Sequence, residues 1–110
     1  MKSHKHRVCA FDELGAAEAR RFLIDGQAIC VVRIDDDVYA IADACSHGDV
    51  SLSEGEVLCD SLEIECWKHG SAFSLTSGVP STLPATRPVR VFDASVEQGH
   101  IVVAISKARP

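Results

Sequence analysis

Cys45-Ser-His-Gly-Asp-Val-Ser-Leu-Ser-Glu-Gly55 and Cys66-Trp-Lys-His-Gly-Ser-Ala-Phe73 are the two stretches on which the reading of this chain turns. Each supplies one soft thiolate and one imidazole, as Cys-x-His in the first and Cys-x-x-His in the second. In both, the histidine is followed at once by a glycine (Gly48 and Gly70), which lets backbone come close to a bulky inorganic group. Each stretch also follows a segment that reads as strand. Residues 48–65 separate His47 from Cys66, room for a loop and a returning strand, so two loops at one end of a β-structure can converge on a single site.

A structural zinc site usually pairs two cysteines on one element with two histidines on another. Here each loop is mixed. If both thiolates take one iron and both imidazoles take a second, each loop reaches across a two-metal unit. That is the ligation of a Rieske [2Fe–2S] centre, in which two His replace two Cys on one iron. A zinc-stabilised β-module for protein interaction, with the same four ligands and no redox role, stays open at this level. So does a chance pairing of two Cys-His boxes.

Outward from the boxes, period-two alternation dominates. Arg7–Phe11 is a short strand candidate, and Gln27–Ile34 is rich in β-branched residues and reads as a buried strand. Asp35–Asp37 is a tight polar turn rather than a metal site, and Val38–Asp43 is the return strand of a hairpin. Asp12–Ile24 admits a short helix through Ala16, Ala17, Ala19, Arg20 and Leu23, or a turn followed by a strand that ends at Asp25–Gly26; the latter is favoured. Leu62–Cys66 alternates strictly, and Ala72–Leu75 is a short strand closed by a turn at Ser77–Gly78. Pro80, Pro84 and Pro88 exclude helix interior and central strand, which makes Val79–Pro88 a loop. Val89–Ala94 and Ile101–Ile105 complete the pattern across Gln98–Gly99. Many short strands with turn residues between them predict an all-β antiparallel sandwich or barrel in one domain over residues 1–110.

The 110 residues are 46% apolar, the size and composition of one compact domain. The formal charge of −5, with no basic stripe, speaks against a nucleic-acid partner. No stretch approaches the roughly 20 apolar residues that span a bilayer, and the basic N-terminus leads only into Val8–Phe11, too short for a secretory signal. A cytoplasmic protein is expected. Five cysteines, an odd number without a secretion signal, argue against a disulfide framework. Cys9, Cys30 and Cys59 lie in or beside apolar runs and read as small buried hydrophobes. His4, His6 and His100 read as solvent-exposed, and Trp67 as packing rather than as an electron relay.

The two boxes together resemble those of the Rieske ferredoxins of bacterial multicomponent aromatic-ring dioxygenases, and the likeness extends over nearly the whole chain. The resemblance implies a Rieske-type fold with a small cluster-binding subdomain, cluster loops at about 44–56 and 66–74, and a proline loop at about 79–88. It implies that Cys45 and Cys66 bind the inner iron and that His47 and His69 bind the outer one. Around them would stand Gly48, Trp67, Lys68, Gly70, Ser71, Phe73 and Pro84, with the proline loop as a flap that limits water access. The gap between the boxes is about one residue longer than the commonest spacing, a difference that a hairpin turn near Asp60–Ser61 absorbs.

A second departure carries more information. High-potential Rieske proteins of respiratory complexes have a bridged extra cysteine in each box, where this chain has Val50 and Lys68. They also have a tyrosine donating to a cluster-ligating sulfur, where this chain has Phe73, leaving Ser71 as a donor. Two neutral imidazoles in place of two thiolates make the cluster easier to reduce than an all-cysteine one, and hydrogen bonds to sulfur favour the reduced form further. With the tyrosine donor missing, a potential on the order of −150 mV is expected.

The function implied is that of a monomeric one-electron carrier between a flavin-dependent reductase and a terminal oxygenase. The sequence offers no mononuclear iron site and no glycine-rich dinucleotide fingerprint, so no catalytic site of its own is expected. A stand-alone Rieske ferredoxin for iron–sulfur assembly or another reductase pathway would carry the same two boxes.

Overall fold

The computed structural model describes residues 3–45, 50–68, 70–83 and 85–106. The strands are β1 (Ser3–Ala10), β2 (Ala17–Ile24), β3 (Gln27–Ile34), β4 (Asp37–Ala42), β5 (Glu56–Leu58), β6 (Glu63–Glu65), β7 (Ala72–Ser74), β8 (Val91–Glu97) and β9 (His100–Ser106). Six form an antiparallel sheet in the order β1-β9-β8-β4-β3-β2, and β5-β6-β7 form a second, three-stranded sheet. This is the all-β antiparallel architecture expected from the sequence, with the three-stranded sheet as its smaller part.

Local chemistry sets the hairpins. Asp25–Gly26 and Gln98–Gly99 are two-residue connections in which both residues have positive φ (52° and 77°; 52° and 78°). That conformation matches the right-handed twist of the flanking strands. The registers Ile24↔Gln27 and Glu97↔His100 follow from it.

The large sheet curls until its two edges approach each other. His6 on β1 places Nε2 3.3 Å from Asp25 Oδ2 at the β2–β3 turn, and His6 is accordingly half-buried rather than exposed as expected. Inside the curl, Cys9, Leu14, Ile24, Ile29, Val31, Ala40, Phe92, Ile101 and Val103 make one apolar core. On the other face of β3 and β4, Cys30, Val32, Ile34 and Ile41 pack against Ile64 and Phe73 of the small sheet. β3 is thus covered on both sides, which is why its sequence is a continuous apolar run instead of an alternating one.

Several expectations need correction. β1 runs Ser3–Ala10, not Arg7–Phe11: as an edge strand it pairs with β9 while Lys5 and Arg7 face solvent, so its polar half gives no apolar signal. Phe11 instead opens a 3-10 turn, and the Arg33 guanidinium lies 3.8 Å from its ring centroid. β5 was not anticipated, because three residues cannot display a period. Asp37 belongs to β4, and β8 begins at Val91, two residues later than expected. Leu62 is in the β5–β6 turn with φ 56°, so β6 spans only Glu63–Glu65. That turn also carries Cys59 out of the core. Its thiol is exposed, whereas Cys9 and Cys30 are buried as expected.

Candidate metal centre

The two boxes leave different sheets and arrive at the same place. Cys45 stands beyond the end of β4 and Cys66 directly after β6. Their side chains are buried (3% and 0% exposed) in one apolar cluster with Val50, Leu52, Ile64 and Phe73. Each box is closed at its base by a backbone bond of the same span: Cys45 N–H donates to Val50 O at 2.8 Å, and Cys66 N–H donates to Ser71 O at 2.7 Å. The second is tightened by Gly70 N–H to Cys66 O at 2.9 Å, with Gly70 at φ 77°. The left-handed φ is what calls for glycine at 70, since an added Cβ would meet nothing within 4 Å there.

The first box is anchored by a residue that the sequence did not single out. The Asp43 side chain is fully buried. Its Oδ1 accepts the Ser53 N–H (2.7 Å), and its Oδ2 accepts the hydroxyls of Ser51 (2.5 Å) and Ser53 (3.2 Å). Arg21 Nε on β2 lies 3.4 Å from the same Oδ2. An aspartate before the box and a Ser-x-Ser after it was a usable signal, because these side chains favour capping backbone N–H groups in turns. At Gly55, just beyond the 3-10 turn Leu52–Glu54, a Cβ would sit 1.7 Å from Glu65 O. Glycine there lets the end of the first box press against the strand that delivers Cys66.

The second box is covered by the proline loop. Ser81 N–H donates to Ala72 O (2.8 Å), Ala72 N–H to Thr82 Oγ1 (2.9 Å), and Thr82 Oγ1 to Gly70 O (3.3 Å). Ala85 N–H donates to the fully buried Ser71 Oγ at 2.9 Å, which leaves the serine's own proton to be donated elsewhere. Phe73, also fully buried, stands in the core beside both cysteines. Trp67 departs from expectation: it is 59% exposed, because the turn after Cys66 turns its ring outward, and Lys68 beside it is exposed as well. Leu83 on the proline loop is 77% exposed. Of the remaining sequence-derived site residues, His47, Gly48, His69 and Pro84 lie outside the described residues.

Two buried thiols from separate loops, each with an imidazole two or three residues further on, suit a two-iron cluster. Among known proteins, the family model for the Rieske [2Fe-2S] domain matches residues 4–93. Ferredoxin CarAc of Metapseudomonas resinovorans is 40% identical over 102 residues, covering 92% of this chain and 94% of the relative. The ferredoxin of carbazole 1,9a-dioxygenase from Nocardioides aromaticivorans IC177 superposes with a TM-score of 0.90 at 39% identity, covering 93% of this chain and 98% of that one. A complex of reduced oxygenase and oxidized ferredoxin in carbazole 1,9a-dioxygenase contains a chain that matches with a TM-score of 0.86 and 37% identity, over 96% of this chain and 97% of that one. With both thiols gathered at one place and the match extending across both boxes, the chain belongs to the Rieske [2Fe-2S] family and binds one [2Fe–2S] cluster.

Proposed function

We propose that this protein is a Rieske ferredoxin in which Cys45 and Cys66 hold one iron and His47 and His69 the other. In this reading it carries single electrons from a flavin-dependent reductase to a terminal oxygenase of the ring-hydroxylating type. The observation that carries the ligand set is the burial of Cys45 and Cys66 in one apolar cluster, each at the base of a loop closed by the same backbone bond. Residues 1–110 act as one domain, with the cluster loops at about 44–56 and 66–74.

When bound, the cluster supplies a one-electron couple at a potential set by its ligands and their hydrogen bonds. The chain's own residues determine how that couple is reached. Val50, Leu52, Ile64 and Phe73 keep water from the thiolates, and Ser71 offers a buried hydroxyl proton to the same region. Trp67 and Leu83 present apolar surface on the second box and on the proline loop stitched to it. A small, partly apolar face of this kind suits brief docking that releases its partner after one transfer. A relative of 37% identity found in complex with its oxygenase supports the same partner class here. The carrier role leaves oxygen activation and hydride oxidation to the partners. No helix among the described residues is long and apolar enough to cross a membrane.

Anaerobically purified protein is expected to be red-brown, to contain two irons and two sulfides per chain, and to bleach with dithionite. The reduced form should then deliver one electron to an oxidised ring-hydroxylating oxygenase in a stopped-flow experiment. A colourless protein with stoichiometric zinc overturns the reading.

A further inference from the structure

The first box begins two residues after a carboxylate whose side chain is fully buried, a costly arrangement for a charge unless it is paired and hydrogen-bonded. Every partner of Asp43 lies on a different segment from its own. Ser51 and Ser53 belong to the turn by which the chain leaves the box, and Arg21 belongs to β2. Asp43 itself stands two residues before the box, pinned by its N–H to Ala28 O at 3.0 Å. One side chain therefore joins the entry of the loop to its exit and both to the rigid sheet. The backbone bond from Cys45 to Val50 closes the same loop but fixes only its neck.

We propose that Asp43 is the positioning residue of the first cluster loop. Its carboxylate clasps Ser51 and Ser53, and Arg21 supplies the counter-charge that keeps it buried. The clasp holds Cys45 in the geometry that grips the iron. This proposal rests on the reading of Cys45 and His47 as ligands. Arg21 is the accessible half of the clasp: its side chain is 56% exposed and lines a surface groove of about 320 Å³ with Ala44, Val50 and Ser51. Among the described residues the second box is held by the hydroxyls of Ser71 and Thr82 rather than by a buried carboxylate, so the clasp should matter most for the first loop.

The test uses the cluster-loaded full chain and three variants: Asp43→Asn, Ser51→Ala and Arg21→Gln. Asp43→Asn keeps an acceptor for Ser53 N–H but replaces Oδ2, which takes both hydroxyls and Arg21, with a donor. Cluster loss to an iron chelator should accelerate on the order of tenfold in Asp43→Asn and several-fold in the other two. The electron paramagnetic resonance g-values of the reduced cluster should shift in Asp43→Asn. Arg21→Lys should restore the wild-type rate, whereas a residue needed only for folding would not be rescued in cluster retention. Circular dichroism on the same samples confirms that the sheets are intact; if Asp43→Asn fails to fold, Ser51→Ala and Arg21→Gln decide the matter. Unchanged chelator kinetics and g-values in all folded variants overturn the proposal. A Cys45→Ser control that keeps the wild-type spectrum overturns the ligand reading instead, and this proposal with it.

Discussion

The loop that starts at Cys45 and the loop that starts at Cys66 share a closing bond, five residues apart in each, yet the chemistry around them differs. The first is held by a buried carboxylate, two serines and an arginine. The second is held by neutral groups, Ser71 and Thr82, and by the proline loop that these hydroxyls stitch over it. The first leaves a strand of the large sheet, where β2 and β3 lie close by to offer a cation and a backbone anchor. The second leaves a three-residue strand at the centre of a small sheet and has to recruit its support from further along the chain. Charge gives a stiff anchor at a desolvation cost, and neutral hydroxyls give a softer one. The more exposed apolar residues, Trp67 and Leu83, belong to the softer side, where a partner can be met and released.

This contrast can be broken most severely at the shared core. Cys45→Ser and Cys66→Ser should each abolish the Rieske spectrum, read by absorbance and by iron and sulfide content, because in the proposed ligand set either change removes a thiolate from the same iron. Unequal losses would show that the loops do not serve one cluster symmetrically. Gly55→Ala attacks the contact between the loops. Its Cβ would collide with Glu65 O, so backbone has to move, and a loss of about 3 kcal/mol in urea unfolding is expected. A neutral result there would mean that the two loops are not mechanically linked at that point.

Finer changes sharpen the account of the softer loop. Phe73→Tyr adds a hydroxyl near the thiolates and should raise the reduction potential by about 59 mV, a tenfold change for one electron, in a redox titration. Ser71→Ala should move it the opposite way. Thr82→Val removes the clip between the proline loop and the second box, for about 1 kcal/mol. Cluster loss to chelator in that variant tests whether the loop acts as a cover. The smallest effect belongs to Cys59→Ser, which should leave the spectrum unchanged. In the native protein Cys59 should react readily with a thiol reagent while Cys30 does not, because burial pushes the Cys30 thiol well above the usual range.

Much of the fold was legible in local pattern. The continuous apolar run of β3, the hairpin residues Asp25–Gly26 and Gln98–Gly99, and the three prolines after Gly78 each carry their structure in a few adjacent residues. The length of β1, the existence of β5 and the start of β8 were not, because edge and three-residue strands are defined by their partners rather than by a period. The same division runs through the site. The spacing of thiolates and imidazoles is a property of the chain, and it pointed to the cluster type without help from the fold.

What only the tertiary structure decided is which side chains the ligands' neighbours meet. Asp43 looks like the polar end of a strand until Arg21, Ser51 and Ser53 close around it, and Trp67 looks like core until the turn faces it outward. Cys59 beside Leu58 reads as buried until the β5–β6 turn lifts it into solvent. A donor's chemistry resides in its own functional group, so sequence suffices to propose it. Burial, pairing and exposure depend on what distant segments bring to the same place, and that is settled only when the sheets pack.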